Sequence, residues 1–147
     1  MVHVFETIQG VWALQRTFST GAIMQGNAKF SKTDEESLYY YQEEGIVYSV
    51  DKSYRAYREY AYSYDTNKIM IHLWNKKDQQ KGDLLHTLEF PNYTHICWPI
   101  NSYSVYNCKQ DRYKLHFVLV TPKKLQLDYQ VQGPYKNYTI QTLLYKR

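Results

Sequence analysis

Apolar and polar residues alternate along most of the chain. In the stretch GVWALQRTF, Trp12, Leu14, Arg16 and Phe18 share one face of an extended segment; Val11, Ala13, Gln15 and Thr17 share the other. The same period of two predicts strands over 11–19, 27–31, 37–44, 53–65, 69–74, 84–90, 94–99, 102–110, 112–120, 125–132 and 138–145. Turn residues separate them: STGA, MQGN, Gly45, DTNK, the polar loop NKKDQQKGD, PNY, TPKK and GPYKN. Residues 3–9 read as a short helical turn. No linker, repeat or low-complexity tract interrupts the series, so residues 1–147 are expected to form a single domain. About ten short strands on short turns, without a long helix, point to an all-β antiparallel sandwich or barrel. A closed up-and-down barrel is preferred, because it leaves no exposed edge and because about eight to ten strands enclose room for one small ligand.

Against that alternation, some inward positions are polar. Arg16 lies in line with a tryptophan, a leucine and a phenylalanine. An unpaired charge facing a core costs several kcal/mol, so Arg16 requires a partner. In SYRAYREYAYSYD, Tyr54, Ala56, Arg58, Tyr60 and Tyr62 share the face with fewer charges, which makes Arg58 a second inward arginine. Tyr39, Tyr41 and Glu43 align, so Glu43 is a candidate counter-ion for Arg16 or Arg58. In LLHTLEF, Leu84, His86, Leu88 and Phe90 align. In THICWP either Thr94, Ile96 and Trp98 face inward, or His95 and Cys97 do. Each has an ordinary reading as a satisfied core histidine, a structural ion pair or wall packing by tyrosine. Taken together they describe one interior holding two arginines, one or two histidines, a glutamate and several tyrosine hydroxyls, with fewer carboxylates than cations. A positive, aromatic-lined cavity suits a small anionic or aromatic ligand.

Composition narrows the partners. The chain has 147 residues, enough for a real core, and 17 tyrosines, whose apolar body and polar tip suit strands with one wet side. The net charge is +4, without a dense basic run: the 76–81 stretch is diluted by Asp78 and two glutamines. The missing basic stripe argues against nucleic acid. Cys97 and Cys108 are too few for a disulfide scaffold or a structural zinc site. They could pair across a hairpin in an oxidising compartment. The start, MVHVFETIQG, has neither a basic nor an apolar leader region, so a cytoplasmic chain with free thiols is expected. No apolar run reaches membrane-spanning length, so no membrane partner is expected. With no phosphate loop, nucleophile elbow or metal-ligand spacing, no cofactor and no metal are expected either.

Two ends of the chain resemble lipocalin-type barrels, which open with Gly-x-Trp, as in GVW, and close with a late basic residue packed over that tryptophan, as LLYKR allows. The segments LQRTF, GNAKF, YQEEG, YRAYREY, LLHTLEF, HICWPINSY and VQGPYKNYTIQTLLYKR are similar, in order, to a family of short bacterial and fungal proteins known as domain of unknown function six-three-one-four. The ending is the most specific piece: a Gly-Pro-x-Lys-x-Tyr motif followed by a Tyr-x-Arg terminus. The resemblance implies a lipocalin-like barrel and no particular activity. It marks Arg16, Glu43, Arg58, His86, His95, Tyr103, Gly133, Pro134 and Lys136. Tyr135 departs from it where a basic residue is expected, and Asn101 and Asn137 where aspartates are.

Three functions follow. In the first, the barrel binds a small anionic or aromatic molecule through Arg16, Arg58 and Lys136, with Glu43 and Tyr103 at the site and Trp12, Tyr41 and Tyr60 as walls. In the second, the same cavity is an enzyme with His86 or His95 as general acid/base. In the third, outward aromatics and basic loops make a module that meets a protein or single-stranded nucleic acid.

Overall fold

The computed structural model describes residues 2–91 and 97–147. A short helix, α1 (Val2–Ile8), precedes ten strands: β1 (Gly10–Phe18), β2 (Ile23–Lys32), β3 (Leu38–Tyr48), β4 (Ser53–Asp65), β5 (Lys68–Asn75), β6 (Gln80–Glu89), β7 (Ile100–Cys108), β8 (Asp111–Thr121), β9 (Lys124–Gln132) and β10 (Asn137–Lys146). They form one antiparallel sheet in the order β6-β5-β4-β3-β2-β1-β10-β9-β8-β7, which curls into a nearly closed barrel. The all-β barrel read from the alternation is the fold found.

The two expected breaks at glycine are not breaks. MQGN lies inside β2, and β3 runs through Gly45 to Tyr48. Gly26 and Gly45 are cross-strand partners. A Cβ at Gly26 would sit 2.0 Å from the Glu44 carbonyl oxygen, and one at Gly45 2.3 Å from that of Gln25. These glycines serve close backbone approach, not a turn. Of the strand expected over 94–99, residues 94–96 lie outside the described residues, and 97–99 are not in a strand.

At one end the barrel is plugged. Val4, Phe5 and Ile8 of α1 are buried in the barrel core. Phe5 stacks on Tyr39 with ring centroids 3.9 Å apart. The Trp12 indole N–H donates to the Ile8 carbonyl at 2.9 Å. Lys146 donates to the Thr7 carbonyl at 2.6 Å and lies 5.3 Å over the Trp12 ring, as the lipocalin resemblance implies. Trp12, fully buried under this plug, is therefore not a cavity wall as expected.

The sheet's two edges, β6 and β7, meet at a seam with no backbone ladder between them. Side chains bridge it. The Ser102 hydroxyl donates to the Glu89 carbonyl at 2.7 Å, and the Thr87 N–H donates to Ser104 Oγ at 3.3 Å.

Candidate functional site

The half of the barrel away from α1 is open and holds a cavity of about 520 Å³. Strand alternation builds it. In β4, Tyr54, Ala56, Arg58, Tyr60 and Tyr62 all line the cavity, the face read from the sequence. In β6 the alternation fails. Leu84 pairs with His72 while His86 pairs with Ile71, so Leu85 is an extra residue in a bulge. The bulge reverses the parity: Leu85 and His86 line the cavity, and Leu84, expected to align with His86, is exposed.

The partner of Arg16 is Glu43. Arg16 Nη2 lies 2.7 Å from Glu43 Oε2, with the carboxylate side chain only 2% exposed. Arg16 Nε donates to Thr142 Oγ1 at 2.7 Å, and Nη1 reaches the Met24 sulfur at 3.5 Å. The β1–β10, β1–β2 and β2–β3 ladders bring these groups together: Arg16 pairs in register with Thr142 and Met24, and Glu43 with Ala28. Arg58 is the cross-strand partner of Glu43, yet its guanidinium makes its hydrogen bond to the Tyr60 hydroxyl at 3.4 Å and stands at the exposed mouth. Tyr60 and Glu43 both hold the Arg58 charge in place, raising its pKa.

Among the described residues eight tyrosines line the cavity: Tyr41, Tyr54, Tyr60, Tyr62, Tyr106, Tyr113, Tyr129 and Tyr138. Burial pushes the hydroxyl pKa of Tyr41, Tyr62 and Tyr129 upward, so each stays a neutral donor. Tyr41 packs on Tyr62 and Tyr60 at 5.5 and 5.9 Å, a continuous aromatic wall. Of these, only Tyr41 and Tyr60 were singled out from the sequence as site residues. Tyr129 was findable from the alternation of Leu125, Leu127, Tyr129 and Val131; Thr142 needed the ladder partner across the barrel.

His86 sits between the cavity and the seam, with Nδ1 2.9 Å from Ser104 Oγ. Burial lowers its pKa to about 4, so the ring is neutral at pH 7. The geometry makes it a hydrogen-bonding wall group, poorly poised for general acid work at neutral pH. His95 lies outside the described residues. Tyr103 and Lys136, expected at the ligand, do not line the cavity. Tyr103 is 55% exposed on the outer wall, its ring stacked on His116 at 4.0 Å. Lys136 clasps the rim: it lies 3.2 Å from Asp111 and donates to the Tyr113 hydroxyl at 3.0 Å. The Gly133 N–H closes that turn onto the Lys136 carbonyl at 2.7 Å. A Cβ on Gly133 would collide with Asp111 Oδ1. The Gly-Pro-x-Lys motif is thus a turn pinned to β8. Cys97 and Cys108 are free and exposed, with Cys108 on the cavity lining.

Among the described residues no group of three or more His, Cys, Asp or Glu side chains is placed to hold a metal ion. No helix among them is long and apolar enough to cross a membrane.

The barrel is similar to several solved structures. An S-type phycobiliprotein lyase from Guillardia theta superposes with a TM-score of 0.62 at 6% identity, over 99% of this chain and 92% of that one. EF1p2_mFAP2b bound to DFHBI matches at 0.54 and 10%, over 97% and 96%. A de novo designed fluorescence-activating β-barrel matches at 0.54 and 7%, over the full length of both. At such identities the likeness is one of fold. No curated protein matches the chain. The family model for DUF6314, a family of unknown function, matches residues 8–147, and the chain belongs to that family.

Proposed function

We propose that the barrel binds a small aromatic anion in its open half. The observation that carries this reading is Arg58. It lines the cavity, and among the described residues no carboxylate lies within ion-pair distance of it, whereas Arg16 is neutralised by Glu43. With His86 neutral, two guanidinium groups face one carboxylate, which leaves the cavity one positive charge. A carboxylate or similar oxyanion meets the Arg58 fork at the mouth, and the tyrosine rings hold the planar body beneath it. The likeness to barrels described as bound to DFHBI supports a small-molecule ligand for this form of barrel.

The test compares two probes of one shape, 2-naphthoate and 2-naphthamide, by calorimetric titration. A hydrogen bond to a charged partner contributes about 1.5–3 kcal/mol, so 2-naphthoate is expected to bind roughly 10- to 150-fold tighter. Arg58→Met should abolish that preference and leave the melting temperature nearly unchanged, because the side chain is exposed. Equal affinity for the two probes in the wild type, or an undiminished preference in Arg58→Met, would overturn the reading.

A further inference from the structure

A second hollow, of about 330 Å³, lies on the outer face of the wall made by β7 to β10. The strand register arranges its side chains in two rows. Tyr103, His116, Asp128 and Gln141 are successive cross-strand partners; Lys114, Gln130 and Thr139 form the adjacent row. Polar residues on the outside of a barrel are ordinary. Buried polar atoms without partners are not. His116 Nε2 and Asp128 Oδ1 are both shielded from solvent and without a hydrogen-bond partner, two of four such atoms among the described residues.

Both groups are held in place by their neighbours. The Tyr103 ring stacks on His116 at 4.0 Å, with 8° between the planes. Gln126 donates to Asp128 Oδ2 at 2.9 Å and leaves Oδ1 without a partner. The charges of Lys114 and Asp128 cancel. An anion would meet Asp128, and a cation would meet Lys114. The Gln130 and Gln141 amides and the Thr139 hydroxyl each both donate and accept. A neutral ligand whose neighbouring hydroxyls also do both is the complement of this set.

We propose that the outer hollow is a site for a neutral polyhydroxylated ligand of the sugar class, separate from the barrel cavity. The ligand hydroxyls meet the Gln130 and Gln141 amides and the Thr139 hydroxyl, and a small turn of the Asp128 and His116 side chains on binding gives Oδ1 and Nε2 the partners they lack. With only one His and one Asp, the hollow lacks the ligand set for a metal ion.

The experiment is an NMR titration of the whole chain with D-glucose, D-galactose and D-mannose, and with the charged analogues D-glucuronate and D-glucosamine. It follows the side-chain NH₂ signals of Gln130 and Gln141 and the His116 ring. Saturable shifts at these groups are expected for at least one neutral hexose, unchanged when the cavity is loaded with 2-naphthoate. Asp128→Asn and Gln141→Ala, both on the outer wall, should each weaken that binding at least tenfold while the rest of the spectrum stays native. No saturable shift with any of the three hexoses overturns the proposal. So does tighter binding of a charged analogue than of its neutral parent, or unchanged affinity in both variants.

Discussion

Replacing Arg16 by methionine tests whether the ion pair at the cavity floor is structural. The substitution keeps most of the aliphatic bulk and removes the guanidinium. It leaves the Glu43 carboxylate, only 2% exposed, without the partner now 2.7 Å away. An uncompensated buried charge costs about 3–5 kcal/mol. Loss of the Thr142 hydrogen bond adds about 1 kcal/mol. For a domain of this size, 1 kcal/mol moves the melting temperature by about 2–4 °C, so a fall of roughly 8–24 °C is expected. Glu43→Met should cost a similar amount, since it strands Arg16. The double variant removes both charges, and an apolar pair in their place should recover most of the loss. Urea denaturation of the wild type, both single variants and the double variant closes a cycle, with an expected coupling above about 2 kcal/mol. Single variants that each lose under about 1 kcal/mol and combine additively would refute the reasoning. Cavity water would then be solvating both groups, and Arg16 would return as a ligand contact.

Two further predictions concern the seam. The His86 pKa falls from 6.5 to about 4 on folding. The unfolded chain therefore takes up this proton first as the pH drops. The contribution of neutral His86 is fully present above about pH 6.5 and is lost progressively towards pH 4, amounting to roughly 3 kcal/mol in all. Urea midpoints at pH 7.5 and 4.5 should drop less for His86→Gln than for the wild type; equal drops would refute the assignment. Ser102→Ala removes the 2.7 Å bond to the Glu89 carbonyl. It should cost about 1 kcal/mol and speed amide exchange along β6 and β7 more than along β1, read by hydrogen-exchange mass spectrometry; uniform exchange would show that the seam is no weaker than the ladders.

The fold was legible because a half-buried strand writes its two faces into alternate residues. β4 shows this at its clearest: five residues assigned inward by parity all line the cavity. That Glu43 answers an inward arginine was legible for a different reason, since a charge on an apolar face demands a partner and few carboxylates were available; parity left the choice between Arg16 and Arg58 open, and the structure gives it to Arg16. The misreadings share a cause too. Gly26 and Gly45 look like turn residues, and only the facing strand reveals that they answer each other. The extra residue Leu85 puts Leu84 out of step with His86, Leu88 and Phe90, which keep the face read for them, and a bulge leaves no mark in a hydrophobic pattern. Trp12 points inward as expected, but α1 fills that end of the barrel, so facing inward and facing a ligand are different statements. Tyr103 is polar enough to suit either face.

The seam also bears on how the chain finds its shape. Among the described residues every ladder joins strands adjacent in sequence except the one between β1 and β10, where Arg16 meets Thr142 across 126 residues of chain. That contact closes a loop spanning most of this chain, and its entropic cost falls on a single step. Opened in the connection between β6 and β7 and rejoined where Lys146 already grips α1, the same strands would run β7 to β10, then β1 to β6. The sheet would be a simple meander with every ladder local. Such a circular permutant keeps every backbone ladder of the barrel and exchanges the long closure for short hairpins, so its topology favours faster folding.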